Sequence, residues 1–255
     1  MDSLRIAGEV ISSRLWMGTA RYPSPQVLIE ALQKGQPGLV TVSVRRLNLQ
    51  APRETFLDLL LGKYRLLPNT AGCYTAEEAV FLAELAREAL QTSWIKLEVI
   101  HDEHTLWPEA EQLLTAAREL KRRGFVVLAY APDDVAVCQR LADAGCEVIM
   151  PLAAPIGSGQ GIKDPERLLL IRHKLAGWPL VIDAGLGSPT DAALAMELGY
   201  DAVLVNTAIA EAQNPPLMAE AMRLAVEAGR KAWMAGRIPR LSYARPSSPL
   251  EGLPF

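Results

Sequence analysis

The run Trp94-Ile95-Lys96-Leu97-Glu98-Val99-Ile100 has the pattern of a buried β-strand with an ammonium and a carboxylate inside it. Successive side chains of a strand point to opposite faces. Ile95, Leu97 and Val99 therefore share one face, and Lys96 and Glu98 the other, with Trp94 and Ile100 at its ends. Charges in a buried strand are costly unless paired. The pair is thus either a structural ion pair or a reaction centre, and the pattern alone leaves both open.

A second strand divides in the same way. In Leu39-Val40-Thr41-Val42-Ser43-Val44-Arg45 the three valines share a face, and Thr41, Ser43 and Arg45 share the other. An apolar face packs on helices and a polar face lines the inside of a barrel, whose interior is otherwise dominated by branched apolar residues. Outward from these two segments, strands are expected near 14–18, 39–45, 65–68, 95–100, 125–130, 147–150, 179–183 and 202–205. Helices are expected near 24–34, 53–61, 76–90, 109–122, 133–144, 165–175, 189–198 and 216–235. The helix over 75–90 is the clearest. Thr75 is its N-cap with Glu78 three residues on, a capping-box spacing, and Ala79, Leu82, Ala83, Leu85, Ala86 and Leu90 follow at helical period. Eight β-then-α units without a long linker indicate a single-domain (β/α)8 TIM barrel over residues 1–255. A doubly wound open sheet is the competing arrangement. Residues 4–11 are expected to form a hairpin closing the barrel bottom, and the Pro- and Ser-rich tail from Pro239 to be irregular.

The chain has 255 residues, a net charge of -3 and 50% hydrophobic residues, ordinary for a soluble globular protein. The weak acidity gives no reason to expect nucleic acid or an anionic membrane as partner. Met1-Asp2-Ser3-Leu4-Arg5 lacks the layout of a signal peptide, and no apolar run reaches the ~18 residues of a membrane span. Cys73, Cys138 and Cys146 are widely spaced, without metal or redox motif. They are read as buried thiols in a reducing cytoplasm.

Several groups carry potential chemistry. A lysine inside a barrel is a candidate for Schiff-base formation with a carbonyl, and must be neutral to attack. Burial lowers a lysine pKa by up to about 3–5. A glutamate charge about 6 Å away, at an effective dielectric near 20, opposes this by roughly 3 kcal/mol, or about 2 in pKa. The sign of the balance stays open. Asp183-Ala184-Gly185-Leu186-Gly187-Ser188 and Val203-Leu204-Val205-Asn206-Thr207-Ala208 each run from strand into helix in the seventh and eighth units, the usual phosphate position of such barrels, and are either a phosphate site or ordinary tight βα turns. Pro155-Ile156-Gly157-Ser158-Gly159-Gln160-Gly161 is either an anion-binding nest or a plain flexible loop. Asp183 ends a strand on the same rim, as a proton shuttle or a turn cap. His101 and His104 match no strong metal signature and, like His173, fit a solvated surface better. The Arg45-Arg46 pair ends strand two, facing either an anionic substrate or solvent. Met218, Met222 and Met234 read as core or interface filler.

Pro68-Asn69-Thr70-Ala71-Gly72-Cys73, the lysine strand, the 155–161 glycine loop, Asp183-Ala184-Gly185, Val205-Asn206-Thr207-Ala208-Ile209-Ala210 and Ser247-Ser248-Pro249-Leu250-Glu251-Gly252 together resemble the thiazole synthases of bacterial thiamine biosynthesis. The resemblance runs in order over nearly the whole chain. It implies a (β/α)8 barrel that forms thiazole phosphate from 1-deoxy-D-xylulose 5-phosphate, dehydroglycine (2-iminoacetate) and a sulfur-carrier protein ending in a thiocarboxylate. It implies no metal or organic cofactor, and a cytoplasmic homotetramer that binds the carrier. Carried over, Lys96 forms the imine with the sugar ketone, and Glu98 and Asp183 are the acid/base groups. Gly157, Ala184, Gly185, Asn206 and Thr207 then contact the sugar phosphate. Two stretches depart from the family pattern: His101 stands where glycine is expected, and Gln33-Lys34-Gly35-Gln36-Pro37 is atypical. A class I aldolase-like Schiff-base lyase or isomerase acting on a phosphosugar is the alternative, sharing the lysine and phosphate site without the carrier.

Overall fold

Eight parallel strands pair in the order β8-β7-β6-β5-β4-β3-β10-β9 in the computed structural model, which describes residues 2–46 and 57–247. They are β3 (Leu15–Gly18), β4 (Val40–Ser43), β5 (Leu66–Asn69), β6 (Trp94–Leu97), β7 (Val126–Ala131), β8 (Val148–Pro151), β9 (Val181–Ile182) and β10 (Ala202–Val205). A parallel bridge between Ile149 and Leu180 joins β8 to the β9 segment and closes the barrel. Ahead of it, β1 (Leu4–Ile6) and β2 (Glu9–Ile11) form the expected antiparallel hairpin. The helices are α1 (Pro25–Gly35), α2 (Ala76–Leu90), α3 (Ala110–Arg122), α4 (Val135–Asp143), α5 (Pro165–Lys174), α6 (Pro189–Glu197), the short α7 (Thr207–Ala210) and α8 (Pro215–Ala235). Among the described residues no helix is long and apolar enough to cross a membrane.

Local sequence sets where these helices start. Ser24-Pro25, Asp164-Pro165, Ser188-Pro189 and Asn214-Pro215 each pair a side-chain cap with a proline in the first turn. The cap satisfies a free N–H, and the proline ring presets φ where no N–H is needed. The full reciprocal capping box lies at Ser188 and Asp191. At α2, Thr75 accepts from Glu78 N as expected, but the Glu78 carboxylate accepts from Tyr74 N, one residue further back.

The two-faced reading of the strands holds except at Arg45, which lies beyond the end of β4 at Ser43 and is exposed. Leu15, Met17, Val40, Val42, Ile95 and Leu97 face the helices in the outer core. Trp16, Leu39, Leu67, Trp94, Leu128 and Val148 fill the barrel together with Leu4, Ile6 and Ile11 of the hairpin, which thereby closes the barrel bottom. Burying this inner layer stabilises the barrel by about 25 cal/mol per Å² of apolar surface.

One expected helix, at 53–61, lies partly outside the described residues. Of the 53–61 segment, 53–56 lie outside the described residues, and 57–63 form turns that place Leu60 in the core. Gly62 at φ +73° fits a turn and not a continuing helix. The sixth strand also stops early, at Leu97, because a side chain takes over the ladder at Glu98, as described below. Residues 239–247 are irregular and exposed, and the motif at 248–252 lies outside the described residues.

Asp2 ties the two ends of the chain together at the barrel bottom. Its carboxylate pairs with Arg14 at 2.9 Å and also with Arg230 of α8. The hydrogen bond from Arg230, against a smaller opposing effect of burial, holds Asp2 below its ordinary 3.8. A depressed carboxylate contributes stability above its unfolded pKa and loses it as pH falls through the folded value. Asp2→Asn is therefore expected to lower the melting temperature at pH 7. The gap to the native protein should close below pH 3.8, as thermal melts at pH 7 and pH 3 would show.

Candidate active site

The inward face of β6 carries Lys96, and the chain just beyond its end carries Glu98, so both enter the barrel above Trp94. Asp183, just beyond β9, reaches them from across the barrel. The Lys96 ammonium lies 2.9 Å from Asp183 Oδ1 and 2.7 Å from Oδ2, and 3.2 Å from Glu98 Oε1. It donates a hydrogen bond to Oδ1, whereas Oδ2 is in ion contact outside hydrogen-bond geometry and has no other partner. All three are buried: Lys96 and Glu98 are each 6% exposed and Asp183 8%. The Tyr130 ring stands 5.7 Å from the ammonium.

The charge balance left open by sequence now has a sign. Burial pulls the Lys96 pKa down, but the charges of Asp183 and Glu98 and their hydrogen bonds outweigh it and hold the ammonium above its ordinary 10.5. Only Glu98 is legible beside Lys96 in the sequence; the fold brings a second carboxylate, Asp183, against the ammonium. Burial likewise pushes Asp183 up to about 6, with Lys96 opposing and the Glu98 charge adding to the rise. A lysine held as an ammonium next to a carboxylate of raised pKa is a pair between which a proton can move.

Thr70, fully buried at the end of β5, sets the position of Glu98 and was not singled out from sequence. Its hydroxyl donates to Glu98 O at 2.7 Å and accepts from Glu98 N at 2.8 Å, replacing the strand ladder there. Thr70 lies inside the Pro68–Cys73 motif, directly after the β5 pattern, but no periodicity marks its hydroxyl as a ladder substitute. Thr70→Val keeps the shape and strands two buried backbone groups, each costing about 1–3 kcal/mol. Lower stability in urea melts is expected, together with a lower kcat from a displaced Glu98.

One cavity of about 470 Å³ opens above these residues, and Lys96, Glu98, Asp183, Gly157, Ala184, Gly185, Asn206 and Thr207 all line it. The late loops that form one wall depend on glycine. Gly185 sits at φ +86°, and a Cβ there would lie 2.5 Å from Ala154 N. A Cβ on Gly187 would lie 2.2 Å from the Gly159 carbonyl oxygen, so the 155–161 loop and the 184–188 turn touch backbone to backbone. The amides of Gly185, Leu186, Thr207 and Ala208 take no hydrogen bond among the described residues, and uncommitted amides on one rim suit an anion. With its amide nitrogen toward β3, the Asn206 side chain donates to Gly18 O at 3.3 Å and Ala20 O at 3.0 Å. It thus braces the β3 loop, and a Cβ on Gly18 would collide with it at 2.7 Å.

The remaining sequence candidates lie elsewhere. His101, His104 and His173 are exposed, and among the described residues no group of three or more His, Cys, Asp or Glu gathers into a metal-binding set. Arg45 is exposed outside the cavity lining, its guanidinium 3.7 Å from Cys73 Sγ. The three cysteines are buried free thiols, and burial raises all three, Cys138 and Cys146 to about 12. Met222 is in the core, Met218 packs against it, and Met234 is exposed.

A family model described as thiazole biosynthesis protein ThiG matches residues 5–249. A thiazole synthase of Azorhizobium caulinodans is 52% identical over 252 residues, covering 99% of this chain and 94% of the relative. One of Geobacter sulfurreducens is 52% identical over 254 residues, covering 99% and 97%. Among solved structures, the Amycolatopsis orientalis BexX/CysO complex aligns with a TM-score of 0.83 at 30% identity, over 94% of this chain and 98% of that one.

Proposed function

The chain belongs to the ThiG family, the thiazole synthases of thiamine biosynthesis, and we propose that Lys96 is the imine-forming residue, with Asp183 and Glu98 as its proton carriers. The observation that carries this reading is the buried ammonium between two carboxylates, at the floor of a cavity whose rim has free amides. The sugar phosphate of 1-deoxy-D-xylulose 5-phosphate sits at the amides of Gly185 and Thr207, between the 184–188 turn and the 206–208 segment, with Gly157 over it. Asn206 acts here by holding the β3 loop. Binding at the phosphate supplies energy away from the reacting carbons.

The ammonium must first lose a proton. It passes to Asp183 along the Nζ–H···Oδ1 hydrogen bond of 2.9 Å. Neutral Lys96 attacks the sugar ketone, and water leaves as the imine forms. Asp183 and Glu98 then take a proton from one carbon and return it to another, so that the carbonyl migrates to the neighbouring carbon. The carrier thiocarboxylate adds its sulfur at that carbon, dehydroglycine condenses, and cyclisation with loss of water closes the ring. No step of this sequence requires a metal or organic cofactor. The carrier tail enters at the cavity mouth beside the exposed 155–160 loop. The BexX neighbour was solved as a complex with CysO, which supports a protein partner for this barrel. The reading carries with it a cytoplasmic homotetramer.

A reconstituted mixture of protein, deoxyxylulose phosphate, dehydroglycine and carrier thiocarboxylate should yield thiazole phosphate, and omission of the thiocarboxylate should stop it. Turnover of the sugar phosphate without carrier would instead mark a Schiff-base aldolase or isomerase.

A further inference from the structure

At the level of Lys96 the barrel wall is uneven. Register pairs Ser43 with Asn69 and Asn69 with Lys96, so polar inward side chains stand on three consecutive strands, β4, β5 and β6. Neighbouring strands lie roughly 4.8 Å apart, which puts Asn69 directly beside the lysine. On the other side of Lys96, β7 and β8 present Leu128, Tyr130 and Met150, and the wall is closed by apolar packing and an aromatic ring.

The polar side is uncommitted. The hydroxyls of Thr41 and Ser43 take no hydrogen bond among the described residues. Asn69 spends its Oδ1 on the Ala71 N–H at 3.3 Å and leaves its NH2 free. The Tyr22 hydroxyl, from the loop between β3 and α1, is buried without a partner beside the same cavity. Buried polar groups are ordinarily satisfied, so an orphan hydroxyl, two free hydroxyls and a free amide on one wall describe a site awaiting an acceptor. Every one of these groups can donate and none is charged. An ionised carboxylate is an acceptor-only group that takes several such bonds. Neutral donors hold it without placing a second cation beside Lys96.

We propose that this β4–β5 wall is the subsite of the small carboxylate-bearing co-substrate. In the reading above this is the imino acid, its carboxylate held by the Asn69 amide and the hydroxyls of Ser43 and Tyr22, its imine carbon turned toward the sugar on Lys96. The inference rests on that reading. The sugar phosphate takes the amide rim formed by the chain after β9 and β10, with β3, whose loop supplies Tyr22, between that rim and β4. The carrier's terminal thiocarboxylate shares the chemistry of a small acyl anion, and the experiment separates the two sources.

Steady-state kinetics of Tyr22→Phe and Ser43→Ala test the proposal, with the imine supplied by glyoxylate and ammonia, which condense to it with loss of water. Loss of one hydrogen bond to a charged group is expected to raise KM for the imine donor about tenfold. KM for deoxyxylulose phosphate and for the carrier should stay within about twofold, as expected of contacts the variants leave intact. Borohydride trapping of the sugar on Lys96 should be unaffected in both variants. A rise in KM for the sugar phosphate or for the carrier, or no rise for the imine donor, overturns the subsite. Failure of trapping in the native protein overturns the Lys96 reading instead. Tyr22→Phe keeps the ring that packs against the core, so a folding defect in Ser43→Ala does not remove the test.

Discussion

Borohydride added to the native protein with 1-deoxy-D-xylulose 5-phosphate is expected to fix the sugar on Lys96, and Lys96→Ala to abolish both the adduct and thiazole formation. Of Lys96, Glu98 and Asp183 only the amine can form an imine, and no other lysine among the described residues lines the cavity. Removing it eliminates the covalent route itself and not only a contact to it. The alanine variant also leaves Glu98 and Asp183 buried without their cation. Breaking a buried pair in this way costs about 3–5 kcal/mol, so loss of activity alone would not separate chemistry from folding. Lys96→Arg separates them. A guanidinium keeps the charge between the two carboxylates but stays protonated and does not form an imine. The arginine variant is expected to melt closer to the native protein than the alanine variant does, yet to give no adduct and no product. Peptide mass mapping after reduction reads the site directly. Label on a different lysine, with Lys96→Ala still active, would sink the assignment.

The strands and their faces could be read from the sequence because a barrel obeys local rules. Period-two alternation at 39–45 and 94–100 fixed which side chains entered the interior, and Lys96, Glu98, Thr41 and Ser43 are found there. Glycine turns after the last strands marked the rim with free amides. What escaped was non-local. Asp183 was visible as an acid on the rim, but its contact with Lys96 spans 87 residues and crosses the barrel. The lysine charge balance therefore could not be signed with Glu98 alone. Thr70 replaces strand hydrogen bonds through its hydroxyl, which no periodicity reports. Of the helix expected at 53–61, the described part, 57–61, is turn, leading to Gly62 at φ +73°.

Asp183→Asn should separate imine formation from the proton transfers that follow it. The substitution is isosteric and keeps an oxygen to accept from Lys96, but it removes the base and one of the two charges that hold the lysine protonated. Lys96 then has only Glu98 to offset burial, and its pKa falls toward the neutral amine, the form that attacks. The borohydride adduct is thus expected to persist in the variant. Turnover is expected to drop by about 10²–10⁴-fold, the usual contribution of a positioned acid or base. The pH profile gives an independent reading. Burial pushes Asp183 up to about 6, so below that pH it is protonated and cannot accept the lysine proton. Native kcat/KM should fall as pH drops through about 6, and the asparagine variant should lack this limb. If Asp183 only balanced the Lys96 charge, the variant would keep the adduct and retain turnover, and the acid limb near 6 would survive the substitution. Adduct yield and kcat/KM between pH 5 and pH 9, measured on the same preparations, decide between the two.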